Sequence, residues 1–553
     1  MSNQASAAID SVSADMVAED PPLVTTITDR NGAPLATLYT QYRIPTPQSQ
    51  IAKSMQAAIV AIEDRRFYQH GAIDPKGALR AAVNDVGGGS TQGASTITQQ
   101  YVKNYLVNVV DRKNPVEKQK DQEESIARKL REARIAIQIE SSMSKDQILT
   151  GYLNVVSFSH NAFGVGAASK VFFGTTADKL TIPQAALLAG NVNNPILYDP
   201  WKHPKQALQR RNTVIDAMVA NQSITKAQAD DAKKAPLGVP PTAPNLPPAT
   251  CFAAADDAGF FCDYVERYLE ETGMTEDQID SGGYTIKTTM DPNISRISKD
   301  AVNGNVSPTA DGVANAFAVI QPGSKSHDVL AMVANRNFGG DASQGQTEYN
   351  LVSGVSNPFG GGSSFKIFTS AAALEQGAAG LDTSLPNPSF QCIQPPITNS
   401  STPCAPFHNL GSYPDPISLR TALATSPNVA FVNLEKQVGL PNVLNMAYRL
   451  GLRHTLSSNQ HGRDPEPSSN DSFVNQPQIQ AFHNELSFTL GASQVSPLEM
   501  ANVVATLKSG GMWCPPNPIL SITDRNGKPV PVHALPCEQV VSPQVANALL
   551  DGM

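Results

Sequence analysis

Two stretches carry side chains whose types and spacing could do chemistry. The first, AIEDRRFYQHG, sets Glu63 beside Asp64, with Phe67 and His70 on the following turns if the segment is helical. An acidic pair by itself is ordinarily a solvated helix face. Here it is followed by GASTITQQYVKN, which lines up Ser95, Thr98, Gln99, Gln100, Lys103 and Asn104. Hydroxyls, carboxamides and a cation beside a carboxylate base suit a polyoxygenated, negatively charged substrate. RKLREARIAIQIE then brings Arg128, Lys129 and Glu132 onto one helix face, which leaves Leu130, Ala133, Ala136 and Ile137 to face a core. A carboxylate among cations suits a phosphate-rich ligand, bound directly or through a divalent ion. Tyr152 and Asn154 follow in GYLN, and RRNTVIDAM contributes Arg210 and Arg211 on a further helix.

The second stretch is GGGSSFKIF. On a helix, Ser363-x-x-Lys366 puts a hydroxyl and an amine on one face, so a nucleophile and its base can meet. Ser142/Lys145 and Ser223/Lys226 have the same spacing. Only Ser363 follows a glycine run and opens an apolar helix. Ser426-Pro427-Asn428 offers a second hydroxyl and a carboxamide. Ser457-Ser458-Asn459 and Ser468-Ser469-Asn470 fit that bare pattern equally well, in polar loops.

The elements that must position these residues are legible in outline. LVTTITDRNGAPLATLYTQYRI reads as a hairpin turning at Asn31-Gly32, and PILSITDRNGKPV as another turning at Asn526-Gly527. Between Ile51 and about Met218 the pattern is mostly helical, with ALRAAVNDV (78–86) as one helix before a glycine-rich break. Pro236 to Pro248 is a proline-rich break. Beyond it YVERYLEETGM reads as a helix, GGYTIKTTMD as a strand and NISRISKDAVNGN as a helix. AFAVIQP and DVLAMVA read as paired strands; FKIFTSAAALEQG, NQPQIQAFHNEL and SPLEMANVVATLK read as helices. The domains expected are a polar leader (1–22), a first catalytic domain (23–235), a linker region (236–313) and a second domain (314–553).

Composition bounds the rest. The chain has 553 residues, 41% hydrophobic and 16% charged, which is long enough for several compact units. A net charge of -8 argues against a nucleic-acid partner. No run of 18 apolar residues occurs, and the start has neither the basic nor the apolar region of a signal peptide. Six cysteines fall into sequence-local pairs, Cys251/Cys262, Cys392/Cys404 and Cys514/Cys537. Their polar, proline-rich surroundings favour local disulfides in an oxidising compartment over buried thiols.

Taken in order, the first set of motifs resembles the family 51 glycosyltransferase domain of class A, bifunctional penicillin-binding proteins. The family's EDxxFxxHxG is met by Glu63, Asp64, Phe67 and His70, with Gly71 one place early. Its GGSTITQQxxKN is met from Gly93 to Gln100, with Ala94 for one glycine, then Lys103 and Asn104. The RKxxE, YLN and RRxxVLxxM elements follow, the last with Ile215 for leucine. The segment from about 314 resembles the penicillin-binding transpeptidase domain of the same proteins.

The resemblance implies a mostly α, lysozyme-like glycosyltransferase domain followed by an α/β (α+β) domain with an antiparallel sheet. It implies polymerisation of a lipid-linked disaccharide-pentapeptide into nascent glycan with inversion, then serine D,D-transpeptidation of stem peptides. Glu63 would be the general base and Glu132 would assist at the pyrophosphate, with Lys103, Arg128 and Lys129 offsetting its charge. An acceptor sugar must fit between the carboxylates, so their separation should be at least about 6.5–9.5 Å, as in inverting glycosidases. Ser95, Thr98, Gln99, Gln100, Asn104, Tyr152 and Asn154 would hold sugar and phosphate, with His70 capping or packing. Ser363 would be the nucleophile, Lys366 its base, Ser426 a proton shuttle and Asn428 a contact to the substrate amide. A divalent cation, Mg or Mn, near Glu132 is the one cofactor suggested, with no organic cofactor. The partners implied are the lipid-linked precursor, stem peptides, β-lactams for the full-length form and a membrane surface. The setting implied is the outer face of the plasma membrane, where Phe158, Phe163, Val165, Phe172 and Phe173 either dip into lipid or pack a core.

In relatives a Lys-Thr/Ser-Gly strand closes the serine site. Lys508-Ser509-Gly510 spells it but follows a helix, so it reads as a decoy, with the true motif expected beyond Met553. On that reading the second domain is incomplete, and this chain is expected neither to cross-link peptides nor to react well with β-lactams. Two other readings remain open at this level: a lysozyme-like glycoside hydrolase using the same carboxylates, and a non-catalytic cell-wall scaffold.

Overall fold

In the computed structural model, residues 19–76, 95–123, 125–243, 245–356, 360–393, 404–482 and 486–553 are described. The helix expected over 78–86 and the glycine-rich break after it lie outside them. The first hairpin forms as read, with β1 (Thr25–Thr28) and β2 (Pro34–Leu38). Asp29 Oδ1 accepts from the N–H groups of Asn31 and Ala33 at 2.7 and 2.9 Å, and Gly32 takes φ +92°. That left-handed angle is why glycine belongs at the turn.

The chain divides into two compact units, one centred on Leu38–Pro248, the other on Ala249–Ile279 and Tyr284–Met553 together with Thr26–Thr37. The first is mostly helical. Its elements include α1 (Lys53–Glu63), α2 (Ile97–Tyr105), α3 (Ile126–Ser142), α4 (Lys145–Val155), α5 (Gly164–Phe173), α6 (Ile182–Asn191) and α7 (Pro204–Ala220). α1 packs with α6 and α7, while α2 packs with α3 and α4. The core between them holds Phe67, Ile97, Val102, Ile135, Leu153, Phe158, Val165, Phe172 and Val214. Phe158, Val165 and Phe172 are fully buried. That decides against the lipid reading for these three, because no surface of theirs is free to enter a bilayer.

α3 buries Ala136 as read from its sequence but leaves Leu130 and Ile137 outside. Arg128 (9% exposed), Glu132 (2%), Ile135 and Ala136 point inward, while Ile126 (81%), Leu130 (66%) and Ile137 (54%) are exposed. Here the ion pair is buried as a unit and the apolar residues are left outside.

The second unit is α/β. It continues with α8 (Gly259–Glu271), β3 (Thr285–Thr288), α9 (Pro292–Asn305), β4 (Ala316–Gln321), β5 (His327–Ala334), α10 (Lys366–Gln376), α11 (Leu419–Thr425), α12 (Asn428–Val438) and α13 (Pro497–Lys508). The strands β6 (Pro516–Asn517), β7 (Ile519–Thr523) and β8 (Pro529–Val530) follow. One sheet runs β8-β7-β3-β1-β2 and another β6-β5-β4. β1 lies parallel to β3, with Thr26 opposite Thr285 and Ile27 opposite Ile286, and β7 is antiparallel to β3. Both sheets are therefore mixed rather than antiparallel, since β6 also runs parallel to β5. The first hairpin, read with the first domain, belongs to this sheet, and so does β3 from the stretch read as linker. Of the helix read over NQPQIQAFHNEL, the short piece Gln478–Ala481 forms after Pro477, and residues 483–485 lie outside the described residues.

All six cysteines are paired as expected, Cys251–Cys262, Cys392–Cys404 and Cys514–Cys537. In the chain-entropy view each such short loop contributes roughly 3 kcal/mol by restricting the unfolded chain.

Candidate active sites

Glu63 is the last residue of α1, and Asp64 caps that helix, so the two carboxylates diverge. Gln100 Nε2 donates to Glu63 Oε2 at 2.9 Å, and the Tyr152 hydroxyl donates to Gln100 Oε1 at 3.0 Å. Glu63 Oε1 is buried and has no partner among the described residues. Burial pushes the Glu63 carboxyl above the usual range; the Gln100 bond and the positive charge of Arg210 pull it back. Tyr152 is fully buried, and burial together with nearby Glu63 holds its hydroxyl well above its ordinary pKa.

Asp64 does different work. Its Oδ2 accepts from the Ile97 N–H at 3.2 Å, fixing the start of α2, and its Oδ1 meets His70 Nε2 at 2.8 Å. His70 thus braces a helix start, in keeping with the capping role expected of it. Asp64, His70 and Asp74 have ligand atoms within 4.8 Å of one another. Asp74 holds Arg66 with both oxygens at 2.6 Å, so the group is satisfied without an ion.

On α3, Arg128 Nη1 donates to Glu132 Oε1, and Lys129 Nζ lies 3.4 Å from Oε2. Lys129 Nζ also donates to Ser95 Oγ at 2.7 Å, which ties the start of the α2 region to the cationic edge of α3.

In the second unit, Ser363 stands in a short 3-10 turn, Gly362–Phe365, that runs into α10. Lys366 is buried. Its Nζ donates to Ser363 Oγ at 3.1 Å, Ser426 Oγ at 2.9 Å, Ser426 O at 2.8 Å and Asn428 Oδ1 at 3.0 Å. Burial lowers its pKa to about 8. Ser426 caps α11 at φ +59°, ψ 44°, the left-handed region a serine rarely adopts. Such a conformation costs on the order of 1 kcal/mol or more and persists where surroundings fix it. The fold thus brings together the four residues expected of a serine acylation site.

Comparison with known proteins finds two domains in this order. A transglycosylase family model matches residues 31–219, and a penicillin binding protein transpeptidase domain model matches residues 317–553. The chain is 29% identical over 495 residues to penicillin-binding protein 2D of Bacillus subtilis, covering 89% of this chain and 63% of that protein. It is 28% identical over 496 residues to penicillin-binding protein 1A of Mycobacterium tuberculosis, covering 88% of this chain and 54% of that one. The chain belongs to the class A penicillin-binding proteins. It spans about three fifths of the length of these relatives. Its fold is shared with penicillin-binding protein 1A of Haemophilus influenzae, with a TM-score of 0.57, 16% identity, and coverage of 96% of this chain and 79% of that chain.

Other residues expected to touch substrate in this class A penicillin-binding protein are engaged internally. Thr98 is fully buried and donates to Glu140 Oε1 at 2.5 Å. In a helix that starts at Ile97, position 98 falls on the stripe facing the core. Gln99 closes the capping box of α2, its Oε1 accepting from Thr96 N–H at 3.0 Å. Asn154 accepts from Thr46 N–H at 2.9 Å and donates to the carbonyls of Thr46 and Thr150, each at 2.9 Å, which accounts for every polar atom of its amide. Asn104 donates to the Gln100 carbonyl at 2.9 Å, and Lys103 lies in the last turn of α2.

Two contributors were not assigned roles from sequence. Arg210, read only as one of a pair, is the cation nearest in effect to Glu63, whereas Arg211 is buried and donates to the carbonyls of Lys233, Ala235 and Pro236. Asn409 caps α12, its Oδ1 accepting from Asn428 N–H at 2.8 Å and Val429 N–H at 3.0 Å. No local pattern in the sequence points to it. Lys508-Ser509-Gly510 lies at the end of α13 rather than on a strand, with Ser509 Oγ 3.1 Å from His327 Nε2. A cavity of about 700 Å³ opens on another face of α1, lined in part by Lys53, Arg65, Met218 and Gln228, and none of the expected site residues lines it.

Proposed function

We propose that the first unit polymerises a lipid-linked disaccharide-pentapeptide into glycan strands, and that the second unit carries the serine machinery for cross-linking stem peptides through an acyl-enzyme at Ser363. That cross-linking also needs a Lys-Thr/Ser-Gly strand, which Lys508-Ser509-Gly510, at a helix end, does not supply. One observation carries the reading: each unit holds a proton acceptor already aimed by its neighbours, Glu63 with its free oxygen buried in the first and buried Lys366 in the second.

In the first reaction the acceptor hydroxyl gives its proton to Glu63 Oε1, while its oxygen attacks the anomeric carbon from the face opposite the pyrophosphate. The anomeric C–O bond breaks, and its electron pair leaves with the pyrophosphate. Gln100 holds Oε2, so the proton leaving the attacking hydroxyl meets the oxygen that has no other partner among the described residues. Arg128, Lys129 and Lys103 offset charge on the leaving side, with Ser95 and Gln100 among the hydrogen-bonding groups. A divalent ion held by the protein does not fit at Glu132, because Arg128 and Lys129 already occupy its two oxygens.

In the second reaction the neutral Lys366 amine takes the Ser363 proton as Oγ attacks the peptide carbonyl. The departing amine takes a proton relayed by Ser426, and an ester to Ser363 remains until an acceptor amine displaces it. Asn428 holds Lys366 and the substrate amide. β-Lactams would be taken as substrate mimics at the same serine.

No helix among the described residues is long and apolar enough to cross a membrane. The exposed row Ile126, Leu130 and Ile137 on α3 supports docking at a membrane surface, on the outer face where the lipid-linked substrate is used. Labelled lipid-linked substrate tests the first activity: polymer formed by the wild type and lost in Glu63→Gln supports it. Reducing sugars released from finished wall would support the hydrolase instead. Fluorescent penicillin labelling that disappears in Ser363→Ala tests the second.

A further inference from the structure

Glu435 is a buried carboxyl that neither reaction uses. It lies on α12, two turns after Asn428 and one turn after Phe431, so the three share one face of the helix. Lys366 Nζ lies 5.5 Å from the centre of the Phe431 ring on that face. Glu435 is 0% exposed; its Oε2 accepts from the Thr489 N–H at 3.1 Å, and its Oε1 has no partner among the described residues. Burial pushes its carboxyl up to about 8, against the smaller opposing effect of the Thr489 N–H. A leucine would pack this position without an unpaired polar atom. What the carboxyl adds is its hold on Thr489.

That hold leads to the nucleophile. Thr489 Oγ1 accepts from Thr369 Oγ1 at 2.7 Å, and Thr369 lies on α10 one turn after Lys366. Two residues past Thr489, the backbone of Gly491 presses on the turn before Ser363. A Cβ on Gly491 would fall 2.1 Å from Gly362 N, and a Cβ on Gly360 would fall 1.7 Å from Gly491 O. Gly361 N–H donates to Ser493 O at 3.2 Å, and Gly360 bridges to Gln494. The segment that Glu435 grips is therefore the wall behind the Ser363 turn.

We propose that Glu435 is a positioning residue for Ser363: by holding Thr489 it fixes the 488–494 segment, and through that wall the turn that aims Ser363 Oγ at Lys366. The proposal rests on the acylation reading above. It differs from simple core packing, which leucine would serve as well.

The test uses the full chain and fluorescent penicillin, separating initial binding from the acylation step, with amide hydrogen exchange across 360–366 as a second readout. Glu435→Leu and Thr369→Val should each slow acylation about tenfold, leave initial binding within about twofold, and speed exchange. Glu435→Gln keeps an acceptor for Thr489 and should restore both readouts to within about twofold of wild type. A folded Glu435→Leu variant with wild-type acylation and unchanged exchange overturns the proposal. Should Glu435→Leu not fold, Thr369→Val carries both readouts with the same outcomes. If penicillin does not label the wild type, the acylation reading fails, and exchange decides alone: no change in either variant overturns the positioning role.

Discussion

The Lys366 ammonium lies 3.1 Å from Ser363 Oγ, and no carboxylate among the described residues shares it. With a pKa lowered to about 8 by burial, the amine becomes neutral, and so able to accept a proton, as pH rises through that value. Acylation by fluorescent penicillin should climb from pH 6 and level off above about 8, with about a tenfold gain per pH unit on the rising limb. A flat profile across this range would remove Lys366 as the base.

Glu63→Gln should cut glycan polymerisation by at least ~10²-fold without shifting the melting curve, since the amide keeps the shape and loses the base. The base must be ionised to act, and burial raises its pKa. Wild-type activity should therefore fall, as pH is lowered, at a higher pH than an exposed glutamate would impose. Near-normal polymer yield from the Gln variant would reject the role.

Tyr152→Phe tests the chain of bonds behind Glu63. Without the hydroxyl, Gln100 Oε1 loses its donor and the amide no longer has a fixed orientation toward Glu63. A lost bond of about 1–1.5 kcal/mol predicts roughly a tenfold drop in polymerisation. An unchanged rate would mean that Gln100 is oriented by something else.

Asn154→Ala should behave in the opposite way. Its amide is fully engaged with Thr46 and Thr150, so its loss should cost about 1–3 kcal/mol of stability. Turnover per folded molecule, measured well below the melting temperature, should stay near wild type. Selective loss of turnover with an intact melting curve would return Asn154 to the substrate site.

Replacing Ile126, Leu130 and Ile137 together by serine should weaken flotation with anionic liposomes and slow polymerisation of lipid-linked substrate. Penicillin labelling of Ser363 serves as the internal control and should not change. Equal flotation of variant and wild type would leave the exposed row on α3 without a membrane role.

The serine site was legible because its geometry is local. Ser363 and Lys366 meet through one helical turn, which spacing predicts; Ser426 and Asn428 frame a helix start 60 and 62 residues from Lys366, and the family resemblance, not spacing, singles them out from two other Ser-x-Asn triplets. The glycosyltransferase-like site was legible in its residue types and less so in their aim. Thr98 and Gln99 adjoin Gln100 in sequence, but the point where α2 begins turns one into the core and binds the other into the cap. On α3 the core reading holds for Ala136 and fails for Leu130 and Ile137, because the Arg128–Glu132 pair is buried as a unit on the face that spacing assigns to a ligand. The first hairpin and its turn were legible, yet nothing in a hairpin's alternation says which sheet will take its free edge.

That last point reaches into how the molecule is made. The hydroxyl of Thr28 in β1 faces the carbonyl of Ile286, a partner 258 positions later in the chain. At a synthesis rate of about 5–20 residues per second, β1 leaves the ribosome on the order of 10–50 s before that partner exists. Throughout that interval Leu38–Pro248 can fold to completion, while the hairpin that precedes it waits with one edge unpaired. In order of birth the helical unit is a passenger inside the sheet unit. An expression design that cuts between Pro248 and Ala249 separates that sheet from its own first two strands.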